Sequence, residues 1–167
     1  MSSDVIESVQ IEGGILVGHD GSECAQHALR WAGELARRSD MDLHVLRAWS
    51  MTSAPRPASW SPGFVPPMED WSDAVLEELR KHVAAAHLDP AVRLSCHVVH
   101  HSPAKALVEG SAGADLLVVG ARGRGGFGGL LLGSVSDQCV HHASCPVTVI
   151  RAGQGIALVQ GRTTLPD

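Results

Sequence analysis

Between Gly120 and Ser134 the chain reads GARGRGGFGGLLLGS, with two arginines, Arg122 and Arg124, and no Asp or Glu between Asp115 and Asp137. Glycine tolerates φ > 0 and lets main-chain amides approach a ligand closely, so a glycine-rich turn between a strand and a helix is suited to wrapping phosphate. The chain as a whole is acidic, at a formal charge of -5, so this segment is a local surplus of positive charge. The ligand it favours is an anion. A second group with chemical capacity is Asp20, in Gly18-His19-Asp20-Gly21-Ser22 at the end of an apolar run. Taken alone, an Asp before Gly21 is as readily a turn former as a ligand contact.

The glycine spacing separates the known kinds of phosphate loop. A P-loop needs a lysine directly before its hydroxyl residue, whereas Leu132-Gly133 precedes Ser134. GxGxxG occurs as Gly123-x-Gly125-x-x-Gly128, but a dinucleotide fold opens its helix within that motif and carries an acidic residue about 20 positions later. Here Leu130-Leu131-Leu132 still intervene, and residues 143–149 contain no carboxylate. The pattern that does fit is Gly120-x2-Gly123-x9-Gly133-Ser134. With that spacing and the first-strand Asp20, the chain resembles the universal stress protein family, specifically its ATP-binding branch. The resemblance runs from Gly14 to Arg151 through ILVGHDGSECAQHALRWAGELA, ADLLVVGARGRGGFGGLLLGSVSDQC and HASCPVTVIR.

That resemblance implies an α/β fold, a single Rossmann-like domain with a five-stranded parallel sheet in the order 3-2-1-4-5 and helices on both faces. The ligand would lie where the strand order reverses, at the carboxyl ends of strands one and four. It also implies which residues bind. Gly18, His19 and Asp20 line the pocket mouth, with Asp20 meeting the adenosine moiety, and Ala48 offers backbone to adenine. Val119, Gly120, Arg122 and Gly123 form the first half of the phosphate loop, and Gly133, Ser134, Val135 and Ser136 its far end. Ser134-x-x-Asp137 also reads as a capping box, so Ser134 is expected to cap a helix as well. The implied cofactor is ATP, with Mg2+, and the implied role is a nucleotide-responsive regulatory module in stress adaptation that acts on a client protein. A homodimer through the fifth strand is implied too, because Pro146–Arg151 would otherwise be an apolar, β-branched edge. Little or no ATP turnover is expected, and no catalytic residue or resident metal is assigned. The alternative is an adenylate-cleaving or adenylate-transferring enzyme of the same nucleotide-binding fold, but the SGGxDS-type pyrophosphate loop of such enzymes is absent.

Short apolar runs that alternate with helical periodicity are what must position these residues. Strands are expected at residues 14–18, 43–49, 92–99, 115–119 and 146–151. Ser22 is expected to cap the first helix, whose stripe is Ala25, Ala28, Leu29, Ala32, Leu35 and Ala36. Trp71, Val75, Leu79, Val83 and Ala86 mark the second, Ser102-Pro103 opens the third, and the fourth spans about 134–142. Residues 50–67, with five prolines, form a loop bordering the adenosine pocket, where Trp49, Trp60 and Phe64 are expected to shield the ligand. Residues 1–13 are expected to form an N-terminal extension, 14–151 the domain and 152–167, which lack a strong pattern, a mobile tail.

Composition bounds the rest. A chain of 167 residues with 44% hydrophobic content supports one domain with a full core. The acidic balance argues against nucleic acid as a partner. No apolar run reaches the ~18 residues that crossing a membrane requires, and the first residues do not read as a signal peptide, so a cytoplasmic location is expected. Cys24, Cys96, Cys139 and Cys145 contain no CxxC pair and fit reduced thiols. Cys139-Val-His141-His142-Ala-Ser-Cys145 packs four candidate ligands too closely to match the separated pairs of a structural zinc site.

Overall fold

The computed structural model describes residues 6–124 and 131–152. Each strand is a short apolar run with its neighbours' runs beside it. In chain order they are β1 (Ile15–Gly18), β2 (Leu43–Trp49), β3 (Leu94–His100), β4 (Leu116–Gly120) and β5 (Val147–Ile150). All pairings are parallel, in the order β3-β2-β1-β4-β5. Parallel strands are buried on both faces, which is why Ile15, Leu16 and Val17 form a continuous apolar run rather than an alternating one.

The crossovers are α1 (Glu23–Ser39), α2 (Met68–Ala85), α3 (Pro103–Gly110) and α4 (Ser134–His142). Ser22 caps α1 by accepting a hydrogen bond from the Ala25 amide at 3.2 Å, an interaction worth about 1 kcal/mol. Asp40 ends the same helix in the left-handed conformation, at φ 53°. On one face of the sheet Ala28, Leu29 and Ala32 of α1 and Trp71, Val75 and Leu79 of α2 pack against Ile15, Val17, Val45 and Val118. On the other, Ala106 and Leu107 of α3 and Cys139 of α4 meet Leu16, Leu46, Val99, Leu117 and Val119. Truncating a fully buried residue such as Leu29 would cost roughly 2–5 kcal/mol.

Two expectations shift. β3 begins at Leu94 rather than Val92, since the Val92 amide is turned back to Asp89 in the preceding turn. Residues 6–13 lie on the domain: Val9 and Ile11 join the α3/α4 core, the His100 amide donates to the Ile6 carbonyl, and the Gly13 amide donates to the Gly113 carbonyl at 2.7 Å. The tail beyond residue 152 and residues 125–130 lie outside the described residues.

Candidate functional site

β1 lies between β2 and β4, so the chain leaves the sheet in opposite directions on either side of it and opens a crevice at the carboxyl ends. The residues that follow β1 are held by consecutive side-chain acceptors. His19 Nδ1 accepts from the Gly21 amide at 3.1 Å, Asp20 Oδ1 accepts from the Ser22 amide at 2.9 Å, and Ser22 then caps α1. Gly21 sits at φ +84°, a conformation that glycine adopts without steric penalty.

His19 is 4% exposed. Because its Nδ1 is an acceptor, the proton belongs on Nε2, which donates to Gln26 Oε1 at 2.9 Å. Gln26 Nε2 in turn donates to the His82 carbonyl at 2.9 Å, which joins the turn to α2. Burial is the main cause pushing the His19 pKa from 6.5 down to about 4, opposed by the Gln26 bond and reinforced by nearby His82. The imidazole is therefore neutral at physiological pH.

Asp20 also reaches the loop after β4, where its Oδ2 accepts from the Arg124 amide at 3.1 Å. The glycines of that loop have different tasks. A Cβ on Gly120 would come within 2.8 Å of the Cys24 backbone, so this glycine lets α1 close on β4. A Cβ on Gly123 would stand 2.7 Å from Asp20 Oδ2. Gly123 is not among the left-handed glycines of the described residues, which are Gly13, Gly14, Gly21 and Gly63, so close approach rather than φ > 0 is what requires it.

The far end of the loop is stitched to its near end at Ala121. The Gly133 amide donates to the Ala121 carbonyl at 2.7 Å, and Ser136 Oγ lies 2.9 Å from both that carbonyl and the Gly133 carbonyl. The capping-box reading of Ser134 is corrected here. Gly133 is the N-cap and Ser134 is already in the first turn, with no side-chain cap bond. The chain enters α4 one residue earlier than the motif implies, and Ser136 Oγ donates to the Ala121 and Gly133 carbonyls rather than accepting from a helix amide. The first-turn amides of α4 have no acceptor within the helix and carry the positive end of its dipole.

These parts enclose a cavity of about 630 Å³. Gly18, His19 and Asp20 line it from the end of β1, Ala48 from β2, Val119, Gly120, Arg122 and Gly123 from β4 and its loop, and Gly133, Ser134, Val135 and Ser136 from the start of α4. Every residue that the resemblance implied for binding thus reaches one space. Arg124, Arg47, Thr52, Ser53, Pro103 and Leu107 reach it as well. Arg47 is the one the sequence could have flagged, as a charge inside the apolar strand LHVLRAW; it is 3% exposed and ion-paired with Glu78 of α2 at 2.7 Å. Leu46, Leu107, Val119 and Pro103 form an apolar wall, and Arg122, Arg124 and the α4 amides form a cationic rim. An apolar slot ending in donors suits a flat ring that carries phosphate.

The 50–67 loop borders the cavity through Thr52 and Ser53, but the aromatic shield is not there. Trp49 points to the α1/α2 face, 1% exposed and 4.7 Å from the His100 ring. Trp60 lies beneath the Arg56 guanidinium, 4.4 Å from its centre, and Phe64 is half exposed; none of the three lines the cavity. Strand alternation places Trp49 on the wrong face, and local stacking holds Trp60. Among the other candidate ligands, Cys139 is buried with its thiol pushed up to about 11 by desolvation, and His141 pairs with Asp137 one turn back.

Comparison with known proteins agrees with this fold. The profile of the Universal stress protein family matches residues 14–151. A universal stress protein of Mycobacterium tuberculosis is 37% identical over 143 residues, a match that covers 82% of this chain and 44% of the relative, so the chain spans less than half the length of that protein. UspA of Lactobacillus plantarum superposes with a TM-score of 0.64 at 25% identity, covering 86% of this chain and all of the other. A universal stress protein solved in complex with cAMP superposes with a TM-score of 0.57 at 27% identity, over 86% of this chain and 99% of its own. The chain belongs to the universal stress protein family.

Proposed function

We propose that the chain binds an adenine nucleotide, ATP foremost, in the crevice between β1 and β4, and works in the cytoplasm as a nucleotide-responsive module that engages a client protein during stress adaptation. The observation that carries this reading is the Asp20 carboxylate accepting the Arg124 amide, which ties the end of β1 to the phosphate-type loop and closes one cavity around all the motif residues. A structural relative bound to cAMP supports the choice of an adenine nucleotide. The adenine would occupy the apolar wall beside Ala48, and the phosphates the cradle of Gly123 and residues 133–136. Mg2+ would arrive with the triphosphate, since Asp20 is the one carboxylate lining the cavity among the described residues.

The same lining argues against efficient hydrolysis. Asp20 already accepts two amides, and both nitrogens of His19 are engaged. No lysine lines the cavity among the described residues to stabilise charge developing on a γ-phosphate. Turnover is expected to fall far below the roughly 1–100 per second of dedicated phosphoryl-transfer enzymes. Mass spectrometry of the small molecule released on denaturing the purified protein tests the reading. An adenine nucleotide at near one per chain supports it. A protein that releases none and takes none up when incubated with ATP, ADP or AMP would overturn it.

A further inference from the structure

We infer that His19 is a positioning residue for this cavity: as a hydrogen-bond acceptor for the Gly21 amide it sets the β1–α1 turn that aims Asp20 at the phosphate loop. The inference rests on the proposed nucleotide reading for its consequence, but its geometry stands alone. The bonds form an unbroken path across three elements. The His82 carbonyl of α2 accepts from Gln26 of α1, Gln26 accepts from His19 Nε2, His19 Nδ1 accepts from the Gly21 amide, and neighbouring Asp20 accepts from the Arg124 amide. Each link is between 2.9 and 3.1 Å.

The burial of His19 shows why the path is rigid. The ring is 4% exposed, and it is also seated beside the His82 ring, with centroids 4.9 Å apart. A group with both nitrogens bonded inside the protein has one tautomer and one orientation available. Gly21 lies at φ +84° and the Arg124 guanidinium fills the space a Cβ there would need, so a change in the turn displaces both ends of the Asp20–Arg124 contact together. An apolar residue at position 19 would keep the packing and lose the acceptor, leaving the Gly21 amide without its partner.

The test separates the two bonds of the ring. Asparagine places an acceptor on Cγ, where His19 carries Nδ1, but does not reach Gln26. Glutamine extends towards Gln26 and leaves Gly21 unserved. Amide hydrogen exchange of Arg124 in the ligand-free protein is compared among wild type, His19→Leu, His19→Asn and His19→Gln, and ATP affinity is measured by calorimetry on the same samples. In His19→Leu and His19→Gln, exchange at Arg124 is expected to accelerate at least tenfold and ATP affinity to fall about tenfold, while His19→Asn recovers most of both. Arg124 exchange unchanged in His19→Leu, or restored by Gln and not by Asn, would overturn the assignment. If His19→Leu does not fold, the Asn and Gln variants decide alone. Exchange that follows the expected pattern in a protein that binds no ATP would uphold the positioning role and sink the nucleotide reading.

Discussion

Asp20 holds both sides of the crevice, one oxygen on the Ser22 amide and the other on the Arg124 amide. Asp20→Ala removes one exposed and one partly buried bond outside the core, so the fold should persist while ATP binding weakens by about 1–3 kcal/mol, the range for charge-assisted bonds. Calorimetry checks this, and wild-type affinity in the folded variant would count against it. His19 has a different signature. Its folded pKa lies near 4 against 6.5 when free, so the unfolded chain binds the extra proton between those values. Stability is therefore full above about pH 6.5 and falls as the pH drops towards 4, by an amount on the order of 3 kcal/mol from this group. His97, lowered by burial and by His44, contributes in the same direction. Urea midpoints measured from pH 7 to 4 should show a shallower loss in His19→Asn than in wild type; parallel curves would refute the assignment.

At the scale of elements, Gly120 is the contact on which α1 sits. Gly120→Ala places a methyl group within 3.0 Å of the Cys24 and Ala25 backbone, which cannot swing aside as a side chain can, and overpacking of this kind costs about 1–3 kcal/mol. A thermal unfolding scan should show a clear loss in midpoint, and an unchanged midpoint would mean α1 relaxes freely. The elements themselves were largely legible, because each parallel strand is a short apolar run between helical stripes. The clustering of Gly18, Ala48, Gly123 and Ser136 was legible only through the family resemblance, which implied both the strand order and the binding positions. Three features were not legible. Whether Ser134 or Gly133 caps α4 depends on how the loop is tied to Ala121, a contact between residues 12 apart that periodicity does not encode. The direction of Trp49 follows from strand register. The charge of Arg47 inside an apolar strand was a legible signal, but its pairing with Glu78 was not, because only tertiary structure brings that partner near.

For the whole molecule, β5 is an edge of four half-buried residues, Val147–Ile150, with one strand neighbour, β4, among the described residues. An apolar edge of this kind invites a second strand, and we expect a two-fold dimer to cover it. Light scattering at micromolar concentration should give twice the chain mass of 17.6 kDa, and a monomer would contradict that assembly. The central claim is that the loop after β4 and the turn after β1 together make an adenine-nucleotide site. Titration calorimetry of ATP into wild type and Gly123→Val tests it most directly, because a Cβ at residue 123 would stand 2.7 Å from Asp20 Oδ2, where the two segments meet. The expected result is saturable binding near one ATP per chain in wild type and no measurable binding in a Gly123→Val protein that remains folded. Equal affinity in the two proteins would show that nucleotide, if bound, lies elsewhere.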